Sequence, residues 1–203
     1  MTKSFQQFAI LALVSLNMLA FTEPQKATSY DVDTKQSIVQ WTGRKVTGEH
    51  TGKINIKEGK LDIENGQLTG GSFAIDMNSI VNEDLTGEYK GKLEGHLKSD
   101  DFFGVATYPT ANFVITQVEA GQGKQYTLTG DLTIKDITHE ISFPATVSTS
   151  GNQVTADAKI VVDRAKYNVR YGSDSFFDNL GDKVIYDEFD LEVSLIAGTA
   201  VGK

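Results

Sequence analysis

From Tyr30 onward the dominant pattern is alternation of apolar and polar residues with period two. This pattern marks strands with one buried face. Gln125–Lys135 is the clearest stretch: Tyr126, Leu128, Leu132 and Ile134 share one face with Gly130, and Thr127, Thr129, Asp131, Thr133 and Lys135 share the other. Phe189, Leu191, Val193 and Leu195 alternate with Asp190, Glu192 and Ser194, and Val154, Ala156, Ala158, Ile160 and Val162 alternate with Thr155, Asp157 and Lys159. Gly52, Ile54 and Ile56 alternate with Lys53, Asn55 and Lys57. Weaker alternation covers Ser37–Gly43, Leu68–Met77, Ala111–Glu119 and Glu140–Ser148. The pattern predicts eight strands. Turn residues separate them at Glu64-Asn65-Gly66, Ala120-Gly121-Gln122-Gly123 and Ser150-Gly151-Asn152. Short connections imply antiparallel neighbours. Such strands close into a barrel or pack as a sandwich, and closure alone removes the exposed edges.

Two segments break the rhythm. Across Glu83–Lys98, Leu85, Tyr89, Leu93 and Leu97 recur every four residues, which predicts a helix packed on a barrel end. Gly87, Gly91 and Gly95 weaken it by roughly 1 kcal/mol each relative to Ala. Ala165–Lys183 reads as a loop or helix before the last strand. At the other extreme of the chain, Lys3 precedes a 14-residue apolar run, Phe8–Phe21, broken only by Ser15 and Asn17. The run falls short of the roughly 20 residues of a membrane span and fits the core of a secretory signal peptide. Residues 1–29 are therefore read as an export signal, with Ala27-Thr28-Ser29 as the cleavage site and Ala20 as a second candidate, and 30–203 as the folded domain. An uncleaved anchor is the competing reading; after cleavage no stable membrane insertion is expected.

Composition narrows the function. The chain has 203 residues, 39% of them hydrophobic and 23% charged, which suits a globular domain rather than a disordered one. Its net charge of −8 and lack of a dense Lys/Arg stretch argue against nucleic acid and against a membrane surface held by charge. The absence of cysteine excludes disulfides, thiolate metal sites, Cys nucleophiles and Cys-linked lipid anchors.

Candidate chemistry is sparse. His50, His96 and His139 lie far apart, and no paired-histidine ligand spacing occurs. No G-x-S-x-G motif is present. Carboxylate pairs stand at Glu83-Asp84, Asp100-Asp101 and Asp187-Glu188, but neighbours on a strand point to opposite faces, and Asp100-Asp101 suits a capping role. Gly70-Gly71 fits a bulge better than a phosphate loop. These readings predict no catalytic residue, no metal and no cofactor. What remains is the apolar face. Its small residues, Gly52, Gly70, Gly130, Ala156 and Ala158, leave room along a barrel axis, and an eight-stranded barrel either fills itself or holds one slender ligand.

Three stretches carry a resemblance. Leu97–Phe113 (LKSDDFFGVATYPTANF) pairs a Ser-x-Asp-Phe-Phe turn with Tyr-Pro-x-Ala-x-Phe; Gly130–Pro144 is GDLTIKDITHEISFP; Ile38–Gly52 holds Val39, Trp41, Gly43 and His50-x-Gly52. Asp163-Arg164 adds a recurring pair near the end of the seventh strand. In these the chain resembles the YceI-like family of bacterial periplasmic lipid- or polyisoprenoid-binding proteins, from Tyr30 to the last strand. Two positions depart from the family pattern: Gly104, commonly Asp, and Asp136, usually Gly.

The resemblance implies an all-β fold, an eight-stranded antiparallel lipocalin-like barrel with one short helix at an end. It also implies a non-catalytic carrier that holds a polyisoprenoid or other long-chain amphiphile in an apolar tunnel, in the periplasm or secreted. The tunnel wall is expected to include Trp41, Ile54, Phe73, Ile75, Phe113, Ile115, Leu128, Leu132, Phe143, Ile160, Phe189 and Leu191. Phe102 and Phe103 are expected to plug one end or line the portal, with Phe176 and Phe177 as a second gate. The competing functions are a lipid-modifying hydrolase or isomerase using His50, His139 or Asp100, and a stress or adhesion module with a filled barrel. An exposed sheet patch leaves room for a homodimer.

Overall fold

The computed structural model describes residues 27–199. Met1–Ser29, the segment read from the sequence as an export signal, lies almost entirely outside that range. Nine strands follow in chain order: β1 (Thr28–Val32), β2 (Ile38–Lys45), β3 (Gly48–Glu64), β4 (Gln67–Asn82), β5 (Thr110–Ala120), β6 (Gln125–Ile134), β7 (Ile137–Ser150), β8 (Gln153–Asp163) and β9 (Ile185–Gly198), with helix α1 (Gly87–Lys98) between β4 and β5. Antiparallel pairing runs β3-β2-β9-β8-β7-β6-β5-β4, and β4 returns to β3, so eight strands close into a barrel. The ninth, β1, stands outside that ring. It pairs with Lys60–Ile63 of β3 and with Ala197 and Gly198 of β9, past the point where β2 leaves them. Cleavage before Tyr30 would remove Thr28 and Ser29 from this strand.

The turns follow their residues. Asn65 and Gly66 both take positive φ (52° and 78°), the requirement of a two-residue hairpin whose twist matches its strands. Lys135 and Asp136 do the same between β6 and β7 (φ 51° and 59°). Asp136 thus occupies a left-handed position where glycine is free of steric cost. Gly104, the other departure, has φ 57°.

Two sequence expectations are corrected. The helix begins at Gly87 rather than Glu83, because the Asn82 side chain accepts from the Leu85 N–H and Thr86 is extended. Tyr89 is therefore 74% exposed and no α1 residue is fully buried; only the C-terminal part of the predicted stripe, ending at Leu97, reaches the barrel core. The small inward residues also differ. Gly70 faces outward toward Asp62, and Gly71 is the inward residue, against Ile115 and Leu61. An extra residue, Thr69, enters β4 at the register shift opposite Asp62–Ile63, and one added residue moves every later side chain to the other face.

Gly52 and Gly130 are inward but not empty. A Cβ at Gly52 would collide with Val81 O and stand 2.5 Å from the Trp41 ring; at Gly130 it would collide with Val114 O and stand 2.6 Å from Phe113 Cζ. The glycines seat aromatic rings against the wall instead of opening space. Gly130→Ala is expected to cost about 1–3 kcal/mol by forcing Phe113 and the β5 backbone to shift, measured as a lowered urea midpoint. An unchanged midpoint would mean that the ring moves freely.

Candidate functional site

The core is divided along the axis. One buried cluster, including Val39, Leu61, Leu68, Val147, Val154 and Leu195, fills the barrel near β1. A second, including Met77, Ile80, Val105, Ile134, Val162 and Tyr167, fills the end near α1. Ile54, Ile75, Phe113, Ile141, Ile160 and Leu191 touch both clusters, yet each is only partly buried. These are inward residues of a closed barrel, so their residual exposure faces an interior space. That space is a cavity of about 220 Å³, many times the roughly 10–15 Å³ that one water needs. Its wall is apolar apart from Tyr186 and Arg164, and Arg164 is the one charged residue on it among the described residues.

Trp41, Ile54, Phe73, Ile75, Phe102, Phe103, Phe113, Ile115, Leu128, Leu132, Phe143, Ile160, Phe189 and Leu191 all line this cavity. Trp41 is oriented by its indole N–H, which donates to Lys53 O at 3.3 Å. Phe73, Phe113 and Phe143 form a chain of rings, with Phe73–Phe113 centroids 6.4 Å apart and Phe113–Phe143 5.5 Å. Phe102 and Phe103 meet edge to face at 5.0 Å, and Phe103 reaches Phe189 at 6.4 Å. The Phe102 turn is thus packed into the cavity end. Phe176 and Phe177 are placed elsewhere: both are exposed and neither reaches the cavity.

Arg164 was legible in the sequence only as half of a recurring pair. It opens the 3-10 turn Arg164–Tyr167 after β8 and is 2% exposed. Its guanidinium donates to Tyr186 O (3.2 Å), Val169 O (2.8 Å) and Ile185 O (2.8 Å), lies 3.3 Å from Asp187 Oδ1 and stacks over Phe102 at 5.3 Å. Burial pulls its pKa down while Asp187, Asp163 and Asp174 oppose that shift; an arginine stays charged regardless. One side chain therefore ties the segment after β8 to the start of β9 and to the Phe102 turn.

The histidines stay apart. His139 Nε2 contacts Lys166 O (3.0 Å), and His96 lies edge-on to Tyr171 and Phe102. No group of three or more His, Asp or Glu among the described residues is arranged to hold a metal. His50 Nδ1 pairs with Asp84 Oδ2 at 2.8 Å. Burial pushes the Asp84 carboxyl up, but hydrogen bonds from His50, the Thr51 N–H and the Asn82 amide outweigh it and hold Asp84 below its ordinary value. A carboxyl lowered by folding stabilises the fold above its unfolded value of about 3.9, and that contribution is lost as pH falls through the folded value. Asp84→Asn should therefore lower stability at neutral pH, with the gap to wild type narrowing below about pH 4. Urea melts at both pH values test this, and a gap independent of pH would contradict it. The Tyr167 phenol is pushed up to about 12 by burial and then by Asp163, far from the pKa near operating pH that suits an acid–base group.

A second concavity lies outside the cavity end. This surface recess of about 730 Å³ is lined by Asp100, Asp101, Lys135, Asn168, Arg170, Tyr171, Gly172, Phe177, Leu180 and Lys183. Lys135 donates to Phe102 O at 3.0 Å, and burial lowers its pKa, opposed by Asp100 and reinforced by Arg170.

Fold and site define a class: a small closed antiparallel barrel whose apolar lumen is left open along its middle. The family follows from comparison. The model of the YceI-like domain matches residues 30–197, and the chain belongs to that family. A UPF0312 protein of Shewanella denitrificans is 28% identical over 95 residues, 46% of this chain and 47% of its own length. A UPF0312 protein of Pseudomonas putida is 41% identical over 56 residues, 28% of this chain and 29% of its own. The matched stretches thus span half or less of these relatives. Among solved structures, Burkholderia cenocepacia BcnA superposes with a TM-score of 0.68 at 24% identity, covering 82% of this chain and 99% of that one. A polyisoprenoid binding domain from Saccharophagus degradans gives 0.62 at 16% identity, covering 84% and 98%. Both share the fold. Among the described residues no helix is long and apolar enough to cross a membrane.

Proposed function

We propose that this protein binds one long-chain isoprenoid or other amphiphilic lipid in its barrel lumen, without catalysis, in the periplasm or outside the cell. The observation that carries this reading is the ring of inward apolar residues left half-buried around the cavity. Such residues gain their remaining burial only when something apolar enters. Each methylene transferred from water is worth about 0.8 kcal/mol, so a chain of a dozen or so carbons offsets the cost of association. A hydrocarbon needs a dry tube and few directional partners, which accords with the scarcity of paired titratable groups at the lumen. The likeness in fold to a polyisoprenoid binding domain supports the same reading.

Organic extraction of the protein purified from its own host, followed by mass spectrometry, is the test. A polyprenyl or other long-chain species in stoichiometric amount is the expected result. Protein that is lipid-free and also fails to take up added lipid would point to a partner-binding module instead. Turnover of a bound lipid that is lost on His50→Ala or His139→Ala would point to an enzyme.

A further inference from the structure

The lumen and the surface recess share a wall. Asp101 lines the recess and its neighbour Phe102 lines the lumen; Lys135 lines the recess and its neighbour Ile134 the lumen. Gly172 of the recess accepts a hydrogen bond at 2.8 Å from the N–H of Ile185, a lumen residue. Phe102 stands in this wall between two cations. Arg164 sits over its ring on the lumen side, and Lys135 Nζ donates to its carbonyl on the recess side. An apolar chamber therefore ends at a charged one.

The recess carries three cations, Lys135, Arg170 and Lys183, against two carboxylates, Asp100 and Asp101. Among the described residues none of these five groups forms an ion pair within 4.0 Å. Arg170 lies over the Phe176 ring at 4.8 Å, and its Nε–H donates to Asn168 Oδ1; among the described residues the terminal nitrogens of its guanidinium have no hydrogen-bond partner. Tyr171 and Phe177 give the same recess apolar contact surface. In a chain of net charge −8 an excess of cations at the end of the lumen stands against the overall field.

We propose that this recess is the headgroup subsite of the amphiphile, that it takes a phosphate or another small anionic head, and that Lys135, Arg170 and Lys183 hold it. The inference rests on the lumen reading and adds the polar half of the ligand to it. The tail passes beside Phe102, so the aromatic turn separates head from chain. Charge-assisted hydrogen bonds from Lys and Arg are the ordinary means of holding a phosphate. Asp100 and Asp101 face the same space and lower the net charge of the recess, which favours a phosphate monoester over a more highly charged head such as a diphosphate.

The probes are hexadecyl phosphate and hexadecanol, titrated into delipidated protein and followed by the fluorescence of Trp41, the one tryptophan of the chain and part of the lumen wall. Wild type should bind the phosphate about tenfold or more tightly than the alcohol. In Arg170→Glu/Lys183→Glu that ratio should fall to near one; Arg170→Gln/Lys183→Gln replaces it if charge reversal lowers the melting temperature. Inorganic phosphate alone, followed by calorimetry, should bind about a hundredfold more weakly than the alkyl phosphate. Equal affinity of wild type for the two amphiphiles overturns the subsite and leaves the lumen reading standing. So does a preference that survives both double variants. Inorganic phosphate that binds as tightly as the alkyl phosphate marks a free-anion site and overturns the headgroup assignment. Binding of neither amphiphile removes the lumen reading and this inference together.

Discussion

Leu132→Trp and Ala158→Phe should each fold and each lose at least about nine-tenths of their lipid loading, a tenfold or greater drop in affinity. Both positions line the cavity. Leu132 lies on β6 at the end near α1, and Ala158 lies on β8, paired with Ala145 and Val193. A larger side chain here projects into space already empty, so it avoids most of the roughly 1–3 kcal/mol that overpacking costs in a filled core. It also removes the volume a tail would use. The check is paired: a urea melt for folding and extraction with mass spectrometry for loading. Folded variants that load as wild type does would move the binding site out of the lumen.

Arg164→Met carries the largest expected cost in stability, about 3–5 kcal/mol. The substitution leaves the carbonyls of Val169, Ile185 and Tyr186 without their donor and Asp187 without its cation. Val169 lies between β8 and β9 and the other three open β9, so the segment 164–187 should loosen first. Urea unfolding measures the loss, and hydrogen exchange at Val169 and Ile185 locates it. A variant within about 1 kcal/mol of wild type would mean that the guanidinium is a passenger in its pocket. A double-mutant cycle with Asp187→Asn isolates the ion pair from the three carbonyl contacts.

Much of the barrel was legible because a closed sheet with one apolar face writes itself as alternation. The clear stretches, β6, β8 and β9, hold their period from end to end. β3 and β4 did not read at full length, because register shifts at Lys53/Asn55, Ile56/Glu58 and Asp62/Ile63 break the phase. The same shift sent Gly70 outward and brought Gly71 in. β1 is five residues long, so it offered too short a period to detect. The helix stripe misled at its N-terminal half, where the Asn82 side chain closes a bend to Leu85, Thr86 is extended and Tyr89 stands in solvent.

The wall residues were legible for the same reason as the strands, since an inward phase on a closed barrel points to the axis. Whether that axis was filled was not legible. It depends on the Trp41 and Phe113 rings being laid against the wall over Gly52 and Gly130, which brings together residues of neighbouring strands. Arg164 escaped as part of the wall because its partners are backbone carbonyls, which carry no sequence signal. The recess draws on three separate loops, and only their meeting in space brings Lys135, Arg170 and Lys183 together.

Native mass spectrometry of delipidated protein mixed with a long-chain polyprenol bears most directly on the vacant interior. The account predicts a single adduct of one lipid per chain, retained in wild type and lost in Ala158→Phe. A spectrum of bare protein alone at saturating lipid would contradict it.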